Sequence, residues 1–230
     1  MNNSNKNNSD SIENTSGCFQ YLDSNDLEFL NKNKTQINYL RGETVFKQGA
    51  FASHVLFVNN GLIRVYLQTG SIKQLNIRLA KRGDFVVFSS IFDENIYTYS
   101  AVAIKDSTIC MINKEALKQL LLKNPEFAMR VTSRNFQNES RYLEIITNIS
   151  YKQMRGKLAS ALMYLSSEEF SEENIYQYLT RQDIADFASI TVESAIKFIK
   201  EFEKEGILTL DGKKIRIKNK AALAEINMRG

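Results

Sequence analysis

The pattern of apolar and polar positions changes sharply near the start of the chain. The first sixteen residues, MNNSNKNNSDSIENTS, hold one apolar side chain beyond the initial Met. Such a segment cannot offset the entropy that is lost when a chain becomes ordered. We therefore expect residues 1–19 to form a flexible tail.

Short β-rich runs follow. From about residue 40 to 112, runs such as HVLFV, LIRVYL and TYSAVAI alternate with glycines, and five of the ten glycines lie between residues 42 and 83. Glycine supplies the positive φ that hairpin turns need. Strands of this length and spacing predict a jelly-roll β-barrel over residues 20–124.

A long helix is predicted over residues 125–152. The only proline, Pro125, follows Asn124, a good N-cap, at the position where a missing N–H costs a helix nothing. Residues spaced three and four apart then form a heptad seam, in which asparagines would fix register and strand number. This pattern predicts a dimerisation helix, and the alternative is a helix that packs on its own barrel. The seam residues are Phe127, Val131, Asn135, Asn138, Tyr142, Ile145 and Ile149.

Two amphipathic helices with a four-residue hinge between them are predicted within residues 153–230, in LTRQDIADFASITVESAIKFIKEFEKEGIL. Thr180 and Asp183 have the spacing of a capping box, and Thr191 caps the second helix. In a helix-turn-helix, the N-terminal part of the second helix enters the DNA major groove. The predicted DNA-binding residues of this segment are Arg181, Gln182, Ser189, Thr191, Val192, Glu193, Ser194 and Lys197.

A basic hairpin follows in LTLDGKKIRIKN. Asp211-Gly212 is a strong hairpin signal, and five Lys or Arg residues lie within eight positions. We expect Lys213 and Lys214 to hold DNA phosphates beside the helix pair, as a wing. Residues 154–230 as a whole balance 12 Lys+Arg with 12 Asp+Glu, so the local arrangement of charge must create the DNA-binding surface.

Composition limits the chemistry. The chain has a net charge of +4, one histidine and two distant cysteines, Cys18 and Cys110, without CxxC spacing. These residues indicate no metal site and no disulfide framework, so we expect no cofactor and no enzyme activity. No apolar run approaches the length of a membrane span, and the N-terminus lacks the features of a signal peptide. The prediction is a cytoplasmic protein with no membrane partner.

The order of parts resembles a family of bacterial regulators, which includes the cyclic-AMP receptor protein and the fumarate–nitrate regulator. The segments that carry the resemblance are GETVFKQG, VNNGLIRVY, RGDFVVF and the helix-turn-helix stretch. It covers nearly the whole chain from about residue 20. It implies an α+β fold, a homodimer that binds a palindromic operator in double-stranded DNA, and RNA polymerase as a partner. Where the family's recognition helix commonly carries arginine, this chain has Val192, so the family's best-known operator is not implied.

The sensor half departs further from this family. Its cyclic-nucleotide binders carry a glutamate for the ribose and an Arg-Ser pair for the phosphate, where this chain has Phe88, Tyr99 and Ser100. Ser89 lies beside them, and Tyr142 corresponds to the helix residue that closes the pocket. Losing the arginine would remove a contact worth about 1.5 to 3 kcal/mol, so the expected effector is not cyclic AMP and its identity stays open. The alternative is that these aromatic residues are simply core.

These observations bear on three possible functions. The first is a dimeric, sequence-specific transcription regulator with a re-purposed sensor barrel. The second is a cupin-like small-molecule enzyme, which needs several histidine and carboxylate ligands where this chain offers only His54. The third is an effector sensor that never touches DNA, which requires the basic wing to be incidental. The sequence favours the regulator.

Overall fold

The structure is a computed structural model that describes residues 18–70, 73–92 and 95–230, without the side chains of residues 137 and 138. The chain forms two compact units. The first comprises residues 1–65 and 79–139, and the second comprises residues 66–78 and 140–230. Most of the predicted tail, residues 1–17, lies outside the described residues. Cys18 and Phe19 are buried, so the predicted tail boundary at residue 19 is too late.

The first unit begins with α1 (Ser24–Lys32), which Asp23 caps by accepting a 2.8 Å hydrogen bond from the Asp26 amide. Six strands then form one sheet in the order β1-β6-β3-β4, with β2 paired to β6 and β5 paired to β3. The strands are β1 (Lys34–Tyr39), β2 (Thr44–Phe46), β3 (His54–Thr69), β4 (Lys73–Lys81), β5 (Phe85–Val87) and β6 (Ser100–Asn113).

Two pairs of the predicted β-rich runs each form one long strand. HVLFV and LIRVYL both belong to β3, and TYSAVAI and DSTICMI both contribute to β6. Gly61 lies between the first two runs with a φ of 104°, inside the strand. A Cβ at Gly61 would stand 2.1 Å from Ser107 Oγ on β6. Gly61 is therefore needed for close strand packing and not for a turn.

Aromatic rings fill the core of the first unit. The Phe19 ring lies 5.1 Å from that of Phe57 and 5.8 Å from that of Phe127, measured between centroids. Phe85 and Val131 belong to the same buried cluster. The cluster joins the start of the chain, the sheet and a helix because each of these presents one apolar face.

Helices follow the sheet. α2 (Lys114–Lys123) starts at an Asn113 cap, and α3 (Pro125–Tyr151) begins at the predicted proline and runs from the first unit into the second. The predicted long helix is therefore present, with a 27-residue span.

The second unit contains a helix-turn-helix and a two-stranded wing. Its elements are α4 (Met154–Leu165), α5 (Arg181–Ala188), α6 (Val192–Lys204), β7 (Leu208–Asp211), β8 (Lys214–Ile217) and α7 (Lys220–Arg229). The sequence pattern did not predict α7. Gly156 is required in α4, since a Cβ there would stand 2.7 Å from the main chain of Gly230.

A polar network ties α3 to its neighbours within the second unit. Arg141 is buried. Its Nε donates a 3.2 Å hydrogen bond to the Ile77 carbonyl, and its Nη1 lies 2.7 Å from Glu144 Oε2 in an ion pair. Its guanidinium lies 3.8 Å from the centroid of the Tyr164 ring on α4. Ser160 Oγ donates to Glu144 at 2.7 Å. A charged group is tolerated here because it is both paired and stacked.

Candidate nucleic-acid interface and sensor pocket

A capping box fixes the start of α5. Thr180 Oγ1 accepts from the Asp183 amide at 3.0 Å, and Asp183 Oδ2 accepts from the Thr180 amide at 2.7 Å. The predicted capping arrangement is therefore present. Ile184 and Ala185 are fully buried on the face of α5 that packs inside the unit. Each cap satisfies amides that would otherwise lack partners at a helix end.

The turn between α5 and α6 contains three residues, one fewer than the four-residue hinge that the sequence suggested. Ser189 adopts a left-handed conformation with φ 52°, which is uncommon for a residue with a side chain. Thr191 then caps α6 by accepting from the Ser194 amide at 3.2 Å. The turn reverses the chain tightly and sets the direction in which α6 leaves.

α6 has a buried face and an exposed face. Ala195, Ile199 and Phe202 are buried, as their spacing predicts, whereas Phe198 is only half-buried. Glu193 and Lys197 are exposed on the first two turns. The exposed face therefore presents the Glu193 carboxylate, a hydrogen-bond acceptor, and the Lys197 ammonium, a hydrogen-bond donor. Both groups can contact base edges.

Thr191 is also exposed, whereas Val192 and Ser194 are half-buried. Lys197 Nζ lies 4.0 Å from Glu201 and 5.5 Å from the centroid of the Phe198 ring. An exposed pair of this kind contributes little to stability and leaves the lysine free to move toward a ligand.

The wing is the predicted hairpin. Leu208 pairs with Ile217 and Asp211 with Lys214, and Gly212 has a φ of 58° in the turn. Ile215 is buried. Lys213, Lys214 and Arg216 are exposed, and among the described residues their side chains have no hydrogen-bond or ion-pair partner. Uncompensated cations at the tip of a hairpin suit phosphate oxygens.

Two predicted DNA-binding residues have partners inside the unit. Arg181 Nη1 donates to the Lys213 carbonyl at 3.3 Å, which links the start of α5 to the wing turn, and burial lowers the pKa of Arg181. Gln182 Nε2 donates to Asp186 at 2.8 Å. The structure therefore gives Arg181 a positioning role, and DNA contact by either residue stays a prediction.

Three of the predicted sensor residues, Phe88, Tyr99 and Ser100, contact neighbours within the first unit. The Phe88 ring lies 5.4 Å from that of Phe85. Tyr99 Oη donates to the Val86 carbonyl at 2.7 Å, and Ser100 Oγ accepts from the Gln48 amide at 2.9 Å. Ser89 is exposed. The polar atoms of Tyr99 and Ser100 are thus committed to the protein's own main chain.

Tyr142 lies on the part of α3 that belongs to the second unit, and its side chain is 39% exposed. Its predicted closure over the sensor pocket stays a prediction.

The register of the predicted dimer seam is wrong in part. Phe127 and Val131 are fully buried in the core of the first unit, and Ile145 is buried in the second. Asn135 Nδ2 donates to the Val131 carbonyl at 2.8 Å. The Asn138 side chain lies outside the described residues. Residues already covered by their own chain cannot face a partner, whereas the seam residues Tyr142 and Ile149 are 39% and 41% exposed.

The remaining reactive side chains have ordinary surroundings. Cys18 and Cys110 are buried in the aromatic core of the first unit. His54 Nδ1 lies 2.8 Å from Ser53 Oγ. In the described part of the chain, His, Cys, Asp and Glu form no group of three or more that could hold a metal ion. An iron–sulfur cluster needs four ligands, usually thiolates, and the whole chain has two cysteines.

Sequence reasoning passed over one exposed residue of α6, Ile196. It lies four residues after Val192 and three after Glu193, on the outer side of the helix. An apolar residue outside the regular buried spacing of this helix was the signal that could have revealed it.

Comparisons with known proteins agree with this architecture. Residues 36–124 match the family model of the cyclic nucleotide-binding domain, and residues 156–226 match that of the Crp-like helix-turn-helix domain. The chain is 30% identical over 195 residues to the fumarate and nitrate reduction regulatory protein of Escherichia coli K12, which covers 81% of this chain and 76% of the relative. It is 25% identical over 193 residues to the transcriptional activator protein FnrA of Stutzerimonas stutzeri, covering 81% and 78%.

Solved structures share the fold. FixK2 from Bradyrhizobium japonicum has a TM-score of 0.74 at 17% identity, covering 84% of this chain and 97% of that one. The c-di-GMP responsive global regulator CLP from Xanthomonas campestris has a TM-score of 0.73 at 17% identity, covering 85% and 99%.

Fold and interface together define a DNA-binding transcription regulator with a sensor domain. The chain belongs to the Crp/Fnr family.

Proposed function

We propose that the protein acts as a homodimer that reads a palindromic operator through α6 and holds the DNA backbone through its wing. The observation that carries the proposal is the pairing of an exposed reading face with uncompensated wing cations. Glu193 and Lys197 occupy the first turns of α6, Lys213 lies in the hairpin turn, and Lys214 begins β8. The first pair can read bases, and the second can neutralise phosphates.

The dimer interface in this proposal is the exposed stripe of α3. Its residues are spaced three and four positions apart, as in the predicted seam, but they lie closer to the solvent side of α3. Four of them are exposed large apolar residues, and the stripe is Met129, Thr132, Phe136, Glu139, Leu143, Ile146 and Ser150. Burying such a stripe in a two-fold contact removes apolar area from water and places two copies of α6 on one face of DNA.

The sensor domain in this proposal responds to an effector other than cyclic AMP or cyclic GMP. Phe88 offers no acceptor for a ribose hydroxyl, and Tyr99 offers no cation for a cyclic phosphate. No catalytic role is assigned to either unit. The protein acts where its operator lies, in the cytoplasm, and exerts its effect through RNA polymerase. Among the described residues, no helix has the length and hydropathy to cross a bilayer.

A selection from random duplexes with the full-length protein tests this function. We expect an enriched inverted repeat whose half-site centres lie about one helical turn apart, because a two-fold dimer presents its recognition helices to successive major grooves. Sedimentation of the selected complex should show two chains per duplex. Enrichment of no palindromic sequence would overturn the proposal.

A further inference from the structure

The helix α6 has an apolar residue on its surface. Ile196 is 38% exposed, and between residues 164 and 227, all of which the structure describes, it is the only large apolar side chain that is exposed. Single exposed apolar residues are common on proteins and need no explanation by themselves. Ile196 is informative because it lies on α6, the helix that reads DNA in the proposed function.

Ile196 lies at the edge of the exposed face of α6, next to the buried face. Val192, which is half-buried, precedes it by four residues and therefore sits one turn away on the same side. Glu193 and Lys197 lie on one side of it, and the buried Ile199 lies on the other. The buried face, with Ala195 and Ile199, is already filled. Ile196 is thus left to meet whatever this face of α6 binds.

The chemistry of the major groove narrows what that can be. Neither isoleucine nor valine can donate or accept a hydrogen bond, so neither can read the donor and acceptor pattern of a base edge. The one apolar group that unmodified DNA presents in the major groove is the C5-methyl of thymine. Contact with that methyl removes apolar surface of both partners from water.

We propose that Ile196, with Val192 beside it, reads the 5-methyl group of a thymine at one position of each operator half-site. This inference rests on the proposed function and adds to it the kind of base that α6 reads. It divides the reading face into an apolar part, specific for a methyl group, and a polar part formed by Glu193 and Lys197.

The test replaces thymine by uracil, which removes the methyl and keeps every hydrogen-bonding group. Each thymine of the selected operator is replaced in turn, and the affinity of the full-length protein is measured. At one position per half-site, we expect uracil to weaken binding about fourfold, and about fifteenfold when both half-sites are changed. At the same position, 5-methylcytosine should bind better than cytosine by a similar factor.

Variants assign the effect to the residue. Ile196→Ala should lose most of the difference between the thymine and uracil operators, whereas Ile196→Val should keep most of it. Met228→Ala, which truncates an exposed apolar residue on α7, should keep all of it. Thermal unfolding of each variant shows whether it is folded.

The outcomes separate this inference from the proposed function. If the protein selects no operator, both fail. If it binds an operator but no uracil substitution matters, or if Ile196→Ala remains as sensitive as the wild type, only the methyl contact is refuted.

Discussion

Ile145 and Ile146 are consecutive residues of α3 with opposite surroundings, since Ile145 is 9% exposed and Ile146 is 60% exposed. Successive residues point about 100° apart around a helix, so one faces the second unit and the other faces away from it. This difference locates the stripe that the proposed dimer would bury.

Replacing Leu143 and Ile146 together by Asp should give a folded monomer. Each carboxylate would have to be buried at the dimer interface, which is too costly without a partner, but costs little on an exposed helix face. Sedimentation at micromolar concentration measures the outcome. Ile145→Asp is the matched control, because it places the same charge inside the chain's own second unit and should instead destabilise folding. A dimeric Leu143→Asp/Ile146→Asp protein would show that the interface lies elsewhere.

Reading and holding of DNA should respond differently to mutation. Glu193→Ala or Lys197→Ala should cost about 1 to 3 kcal/mol on the selected operator and relax discrimination at one base pair of each half-site. Fluorescence anisotropy with operator variants measures both effects. An unchanged base preference in both variants would remove α6 from the reading role.

The wing lysines should instead act on all DNA. Lys213→Ala and Lys214→Ala should weaken specific and random duplexes alike and lower the salt slope by up to about 0.9 per lost contact on each subunit. Lys32→Ala is a suitable control, because Lys32 is an exposed lysine of the first unit that pairs with Glu28. A loss confined to the specific operator would contradict the backbone role.

Cyclic AMP and cyclic GMP should not bind at concentrations of tens of micromolar. The phosphate would lack its charge-assisted partner, worth about 1.5 to 3 kcal/mol, and the Tyr99 hydroxyl is already bound to the Val86 carbonyl. Calorimetry decides this, with operator DNA titrated into the same protein sample to show that it is active. A micromolar dissociation constant for either nucleotide would refute the argument.

Tyr176 should make the second unit sensitive to alkaline pH. Burial raises the pKa of Tyr176 to about 12, and the hydroxyl lies 2.8 Å from Ser166 Oγ. Because the folded state favours the neutral phenol, this contribution is complete below the unfolded pKa of about 10 and is lost as the pH rises toward 12. Unfolding free energies between pH 9 and 12 should therefore fall less steeply in Tyr176→Phe than in wild type. The exposed Tyr151 provides the control, since Tyr151→Phe should leave the slope unchanged. Equal slopes for all three proteins would contradict the prediction.

Local sequence determined much of the C-terminal half. The Thr180 and Asp183 capping box, the Thr191 cap and the Asp211-Gly212 hairpin were all readable, because a cap or a tight turn involves residues only two to four positions apart. The buried spacing of α6 was readable for the same reason. The exposed positions of α6, such as Glu193 and Lys197, can be deduced once that buried face is known.

Only the tertiary structure decided which face of α3 is covered. The helix carries apolar residues on more than one side, and a three-and-four spacing fits two neighbouring stripes equally well. Phe127 is buried because Phe19, more than a hundred residues earlier, packs 5.8 Å from its ring. Separate β-rich runs also join into the single strands β3 and β6, because these strands pair with strands that are far away in the sequence. Sequence periodicity shows that a face is apolar, but contacts between residues far apart in the chain determine whether its own protein or a partner covers it.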